Sequence, residues 1–236
     1  MAAPSRSRNV AEVQRRVAQV HHWADLEQQF RFYDSWASDY EEDVTVLQYR
    51  VPKLAAACLS SAFQGLLGDL LVLDVACGMG LVAQEQQAKG FRCLHGLDGS
   101  PGMLEHARWK GLYQDLKQCM LGQDALPDPA GCYDAVLIVG ALSEGQVPAE
   151  VVPELLCVAK PGGYLCLTTR ENRTNLPYKA RLEQLMDDLE QRGLWEKVVM
   201  QEVGNWERAK SEEEAEQGLD YISGVVYLYR KKADPS

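Results

Sequence analysis

LDVACGMG, Leu73–Gly80, is the stretch that decides the fold. The apolar run leading into it, Leu70-Leu71-Val72-Leu73, has the composition of a buried strand. It stops at Asp74 and gives way to small residues and two glycines. A chain that breaks off this way leaves a place where only backbone has room. Three uses fit: a tight structural turn, a phosphate-binding loop, or a seat for a nucleoside cofactor.

Downstream of the loop, short apolar runs alternate with helical segments. Leu81–Lys89 reads as a helix ended by Gly90, and Phe91–Leu97 as a strand. Pro101–Arg108 reads as a helix capped by Ser100. Cys119–Leu121 is a weak third strand and Tyr133–Gly140 a strong buried one. Pro148–Ala159 alternates like a helix, Lys160-Pro161-Gly162-Gly163 reads as a turn, and Tyr164–Thr169 as a strand. Tyr178–Gln191 is amphipathic, with Leu182, Leu185, Met186 and Leu189 on one face and Gly193 beyond its end. Lys197–Val203 and Gly224–Tyr229 are strand-like, joined by an acidic loop around SEEEAEQG. Strands alternating with helices mean βαβ units and a largely parallel sheet covered on both sides. The last two strands have no helix between them, which places one antiparallel strand near an edge.

Upstream, the chain reads as mainly helical to about Gln64. Val10, Val13, Val17 and Val20 fall on one helical face. FRFYDSWASDYEEDV, Phe30–Val44, is rich in aromatics and acids, and a further helix runs from Pro52 to Phe63. Residues 1–66 are therefore expected to form an N-terminal helical cap, and residues 67–232 one compact domain.

With 236 residues and 46% apolar content the chain can bury a full core. Its formal net charge of −10 argues against nucleic acid as the main partner, since neutralising phosphates needs clustered Lys and Arg. The seven cysteines form no CxxC pair and read as reduced thiols in a cytoplasmic or nuclear protein. No apolar stretch reaches the roughly 18 residues of a membrane span. The start, MAAPSRSRNV, lacks the apolar core of a secretory signal; it leaves a mitochondrial transit peptide open, against which Glu12 and the following pattern speak. The four histidines show no metal spacing. A monomer is the simplest expectation.

Gly78-x-Gly80-x-x-Ala83 also fits the dinucleotide fingerprint. Asp98, at the end of the second strand, can accept two hydrogen bonds from ribose hydroxyls of NAD or of another nucleoside. Asp74 narrows the choice: a negative charge at the mouth of the loop repels a pyrophosphate and favours a cation.

Several motifs in order carry a family resemblance. DVACGMG resembles motif I of class I, seven-strand S-adenosylmethionine (SAM)-dependent methyltransferases, with Ala76 where many members have Gly. GLDGSPGMLEHA resembles their second motif, QDALP their adenine-side acidic loop, YDAVLIVGAL their fourth strand and KPGGYLCLTT the segment entering strand five. FYDSWASDYEED resembles the cap motif of their small-molecule branch. The resemblance runs from about Tyr33 to Arg230. It implies an α/β, Rossmann-like three-layer sandwich with a mostly parallel seven-stranded sheet, one antiparallel strand and a helical cap.

It also implies roles. Ala76, Gly78 and Gly80 form the loop under the methionine and ribose parts of SAM. Asp74 holds the amino group and Asp98 the ribose diol. Gly99 and Met103 pack near the adenine, whose amine Asp124 meets, with Gln123 and Ala125 presenting backbone. Val139 and Ala141 line the methyl-donor side. Tyr33, Trp36 and Tyr40 lie over the cofactor, where aromatic faces attract a sulfonium; at helical spacing they fit core packing as well. No residue stands out as a general base. NPPY is absent after strand four, where VGALSEGQVP stands, which weakens an adenine acceptor in nucleic acid. Glu144, Arg170, Asn172 and Tyr178 are candidates for acceptor contacts.

Three functions are in play. The first is a methyltransferase acting on a small molecule or a protein, with SAM as cofactor and S-adenosylhomocysteine as product. The second is a binder of SAM or S-adenosylhomocysteine with little or no catalysis. The third is an NAD-dependent oxidoreductase.

Overall fold

The protein is described as a computed structural model over residues 10–18, 26–209 and 221–233. The Leu73–Gly80 stretch does what its composition dictates. β1, Leu71–Val75, is a strand whose side chains enter both faces of the sheet: Leu73 and Val75 join one core, Val72 the other. β2 (Cys93–Asp98), β3 (Asp115–Gln118), β4 (Tyr133–Leu142), β5 (Ala159–Arg170), β6 (Trp195–Arg208) and β7 (Tyr221–Lys231) complete the sheet. The strand order is β3-β2-β1-β4-β5-β7-β6. β1 to β5 pair parallel, and β7 runs antiparallel to both β5 and β6. The chain therefore reverses direction across the sheet between β1 and β4, the switch point where open α/β sheets bind ligands.

One core lies under α7 (Val152–Val158) and α8 (Leu176–Gln191). It includes Leu155, Leu182 and Met186, with Trp195 stacked on Tyr229 at 4.1 Å between ring centroids. The other lies under α4 (Val51–Ser61) and α5 (Leu81–Lys89), where Ala55, Leu59 and Ala83 meet Val72, Leu137 and Val226. Two cores around one sheet make the expected three-layer sandwich. α6 (Pro101–Lys110) starts as read, with Ser100 Oγ accepting from Met103 N at 3.1 Å.

The cap comprises α1 (Val10–Ala18), α2 (Leu26–Trp36) and α3 (Tyr40–Val46). Its small core gathers Val13, Trp36 and Leu47. α4 packs on β4, β5 and β7 and belongs to the sheet's own layer. Asp34 on α2 accepts from Ser100 Oγ at 2.5 Å and from Gly102 N at 2.9 Å, and Lys110 pairs with Glu41. Asp43, fully buried, accepts from Trp36 Nε1 at 2.8 Å and from Arg16 at 3.1 Å.

The structure departs from the sequence expectation in places. The third strand is Asp115–Gln118 rather than Cys119–Leu121, because an edge strand half-exposed on both faces needs no apolar run. The Lys160–Gly163 turn lies within β5, where Gly163 packs against the carbonyls of Tyr133 and Asp134 beside a register shift. The helix expected from Pro148 opens as a 3₁₀ turn, Ala149–Val151, before α7. Val20, His21, His22 and the SEEEAEQG run lie outside the described residues.

Candidate functional site

The first strand delivers the chain to the carboxyl edge of the sheet and the loop turns there through left-handed backbone. Ala76 has φ 54° and Gly78 φ 53°. A Cβ at Gly78 would meet nothing within 4 Å. That open space belongs to a cavity of about 980 Å³, mouth included, at the ends of β1, β2 and β4 beneath the cap. The loop contributes Ala76, Cys77, Gly78 and Met79, β2 and its exit Asp98 and Gly99, α6 Met103, and β4 Val139, Gly140 and Ala141. The cap side adds Tyr33, Tyr40 and Tyr49. Asp98 is the one charged residue among the described residues lining it.

Asp98 is organised by backbone. Oδ2 accepts from Gly78 N and Oδ1 from Ser100 N, both at 2.8 Å. Each oxygen keeps lone-pair capacity for a further donor. Burial pushes its carboxyl above the usual range against the lowering effect of these N–H bonds, with the charge of Asp34 adding to the rise.

Gly80 serves a different purpose from Gly78. A Cβ there would sit 3.1 Å from Leu112 Cδ1 and 3.2 Å from Tyr113 Cε2, so this glycine makes room for a neighbouring ring rather than for a ligand. A Cβ at Gly96, in the middle of β2, would lie 3.1 Å from the other side of the Tyr113 ring. The clamped ring donates its hydroxyl to Asp74 Oδ2 at 2.7 Å. Asp74 is 1% exposed, does not line the cavity, and its Oδ1 has no hydrogen-bond partner. Burial pushes its carboxyl up to about 7, against the bond from Tyr113 and with a small addition from Asp98.

The three cap-side tyrosines are held neutral. Burial is the main cause of the raised pKa in Tyr33, Tyr40 and Tyr49. Tyr33 Oη accepts from Gln146 Nε2 at 3.1 Å, tying the cap to the segment after β4. Tyr49 Oη occupies the place that a Cβ at Gly140 would take.

Of the residues expected at the cofactor, Tyr33, Tyr40, Ala76, Gly78, Asp98, Gly99, Met103 and Val139 converge on the cavity. Trp36, Asp74, Gly80, Gln123, Asp124 and Ala125 do not line it. Trp36 turns into the cap core and spends its indole N–H on Asp43. Asp124 closes its own turn, accepting from Met120 N at 2.9 Å, and Gln123 and Ala125 stand exposed on either side. None of the four acceptor candidates lines the cavity either. Tyr178 is buried with its hydroxyl on the Val147 carbonyl, and Glu144 pairs with Arg181 on the surface. Asn172 bonds Thr174, and Arg170 bonds Ser143 and lies 4.0 Å from Glu207. Tyr49, Gln146 and Tyr113 went unread in the sequence. A glycine inside a strand, Gly96, was the available sign that something approaches there.

Comparisons with known proteins identify the family. Residues 72–163 match the profile of a methyltransferase domain. The chain is 57% identical over 191 residues to human methyltransferase-like protein 27, covering 81% of this chain and 78% of that one. It belongs to the class I, SAM-dependent methyltransferases. This methyltransferase is also 34% identical over 108 residues to a ubiquinone biosynthesis O-methyltransferase from Vibrio parahaemolyticus, covering 44% and 45% of the two chains. Among solved structures its fold is similar to that in the Haloferax volcanii complex of the Trm112 methyltransferase activator with a putative methyltransferase. That match has a TM-score of 0.62 at 16% identity and covers 86% and 97% of the chains. Among the described residues no helix is long and apolar enough to cross a membrane, and no cluster of His, Cys, Asp and Glu could hold a metal.

Proposed function

We propose that this methyltransferase seats SAM in the cavity at the ends of β1, β2 and β4 and carries a small, compact acceptor beside it. The observation that carries this reading is the charge of the lining: one carboxylate, Asp98, and no Lys, Arg or His among the described residues. A pyrophosphate would find no counter-charge there, whereas a cationic nucleoside would. That sets the NAD alternative aside. The residues fit the cofactor: Asp98 would accept from the sugar hydroxyls, the open face of Gly78 gives the ligand access to backbone, and Gly99 and Met103 offer an apolar flank. Tyr33 and Tyr40 line the cavity, and an aromatic face turned to the ligand would attract a cation by roughly 0.5–2 kcal/mol.

When bound, SAM supplies an activated methyl group and a neutral thioether leaving group. The chain supplies orientation and exclusion of water, which together can lower a barrier by roughly 7–11 kcal/mol. The tyrosines at the cap stay protonated at neutral pH and serve as donors, not bases. With Asp98 engaged on the sugar and no other carboxylate and no Lys or His lining the cavity among the described residues, the acceptor atom would be nucleophilic without the chain's help or release its proton to solvent. The mainly apolar space beneath the cap favours a small molecule over a protein side chain. Seven free thiols fit a reducing compartment, cytoplasmic or nuclear.

The test is a thermal-shift and calorimetric comparison of SAM, S-adenosylhomocysteine and NAD. The first two raise the melting temperature and NAD does not. Replacing Asp98 by Ala weakens SAM binding by about 1.5–3 kcal/mol, the worth of charge-assisted bonds. Stabilisation by NAD alone, or an unchanged SAM affinity in a folded Asp98→Ala variant, would sink the reading.

A further inference from the structure

The cavity has two ends, set by the strand order β2-β1-β4. Asp98, Gly99 and Met103 lie at the β2 end. At the β4 end stand Tyr49, Gly140, Ala141, Gln146 and Val147, none of them charged. Gln146 is already engaged: it takes the Ser143 hydroxyl at 2.9 Å and gives its amide to Tyr33. Tyr40 and Tyr49 also line the cavity, and neither hydroxyl has a hydrogen-bond partner among the described residues. Burial keeps both phenols protonated, so two O–H donors stand unused.

Tyr49 is fixed from behind. Leu47 O accepts from Arg208 N at 2.8 Å, Gln48 Oε1 from Tyr221 Oη at 2.6 Å, and Arg50 N donates to Trp206 O at 3.3 Å. Gln48 holds φ 55°, a strained conformation that persists only where its surroundings impose it. In front, β4 slips register between Ile138 and Leu142, and Gly140 turns at φ 75°. The Tyr49 hydroxyl fills the place that this glycine leaves open.

The chemistry of this end selects among nucleophiles. A carboxylate or phosphate on the acceptor would be buried with no counter-charge. A phenol must lose a proton with a pKa near 10, and no base stands at the β4 end to take it. A neutral amine leaves one positive charge in the cavity before and after transfer, so apolar walls give it no advantage. A thiol, with a pKa of about 8.5, is a few per cent thiolate at neutral pH without help and is then a strong nucleophile. A thiolate and a sulfonium also end as two neutral thioethers, and a low dielectric favours that neutralisation.

We propose that the acceptor is a small thiol with no other charge, and that the hydroxyls of Tyr49 and Tyr40 donate to its sulfur at the β4 end of the cavity. This rests on the reading that the cavity binds SAM. The S–H proton goes to solvent. The thiolate's electron pair forms the new S–C bond while the old S–C bond breaks toward the donor sulfur, and nothing is oxidised or reduced. The chain's own thiols on the wall, Cys77 and Cys119, do not compete, because burial keeps both protonated.

The experiment offers the full chain, with SAM, three acceptors of nearly equal size: benzyl mercaptan, p-cresol and p-toluidine. 4-(Mercaptomethyl)benzoate is the charged control. Mass spectrometry of the methylated products should show benzyl mercaptan ahead of p-cresol by about thirtyfold or more, the ratio of their ionised fractions, with p-toluidine and the benzoate also behind it. Without turnover, benzyl mercaptan should raise the melting temperature of the S-adenosylhomocysteine-saturated chain and the benzoate should not. Tyr49→Phe, which keeps the ring, should lower kcat/KM for benzyl mercaptan about tenfold or more with SAM affinity unchanged, as for a lost bond to a charged sulfur. If that variant fails to fold, the ranking of the four probes on the natural chain decides alone. SAM binding with no methylation of benzyl mercaptan, equal or faster transfer to any of the other three, or undiminished transfer by Tyr49→Phe overturns the proposal and leaves the cofactor reading standing. No binding of SAM or S-adenosylhomocysteine overturns both.

Discussion

Replacing Gly78 and Gly80 by alanine, one at a time, should separate binding from folding at two positions a single residue apart. Both have positive φ, 53° and 89°, so each alanine carries left-handed strain of about 1–2 kcal/mol. At Gly78 nothing else is added, because the new methyl meets no atom within 4 Å. At Gly80 it presses on Leu112 and Tyr113 at 3.1–3.2 Å, so the neighbours must yield. Overpacking of that kind adds about 1–3 kcal/mol. Gly78→Ala is thus expected to lose about 1–2 kcal/mol of stability and Gly80→Ala about 2–5 kcal/mol in urea unfolding at constant slope. Ligand binding should rank the other way. Gly78→Ala puts its methyl into the cavity and loses SAM affinity tenfold or more by calorimetry, about 1.4 kcal/mol. Gly80→Ala, where folded, binds nearly as well. If Gly78→Ala binds SAM undiminished, or unfolds more easily than Gly80→Ala, the assignment of the two glycines is wrong.

Asp34→Ala removes the bonds to Ser100 and Gly102, so amide hydrogen exchange in α2 should speed up while the sheet core stays protected. Gly224→Ala would drive a methyl into the Trp206 ring and should cost more than 3 kcal/mol by chemical denaturation. Asp74 binds its proton more tightly folded than unfolded, so its contribution to ligand-free stability is full at low pH and fades as pH rises from about 4 to about 7. Asp74→Asn should therefore gain up to about 4 kcal/mol over the natural chain between those limits, at roughly 1.4 kcal/mol per tenfold change; parallel pH–stability curves for the two would refute this. A thiol reagent on the native chain should modify exposed Cys157 first and leave buried Cys58, Cys77, Cys119 and Cys166 unreacted until unfolding.

The sheet was legible because its central strands are buried on both faces and carry uninterrupted apolar runs. β3 was not, because DLKQ has nothing apolar to announce except Leu116. The cavity was legible wherever a motif packs several chemical demands into a few adjacent residues, as at Ala76–Gly78 and Asp98–Gly99. It was not legible where one side chain acts from a distance. Tyr113 reaches Asp74 across 39 positions and Gln146 reaches Tyr33 across 113, and neither carries a local pattern. Helical spacing put Tyr33, Trp36 and Tyr40 on one face, but it could not say which ring turns outward. The buried carboxylate of Asp43 decided that by taking the indole N–H.

The cap leans on the far end of the chain. Arg50 N donates to Trp206 O, Arg208 N to Leu47 O and Gln14 Nε2 to Ala209 O, and Tyr221 Oη to Gln48 Oε1. The roof above the cavity is thus stitched from the two stretches of sequence that the domain profile leaves out on either side. Trimming the β6–β7 hairpin should unseat the cap as surely as deleting the cap's own helices. Any change in what this enzyme admits as acceptor is free to arise at that seam, with the motif-bearing strands untouched.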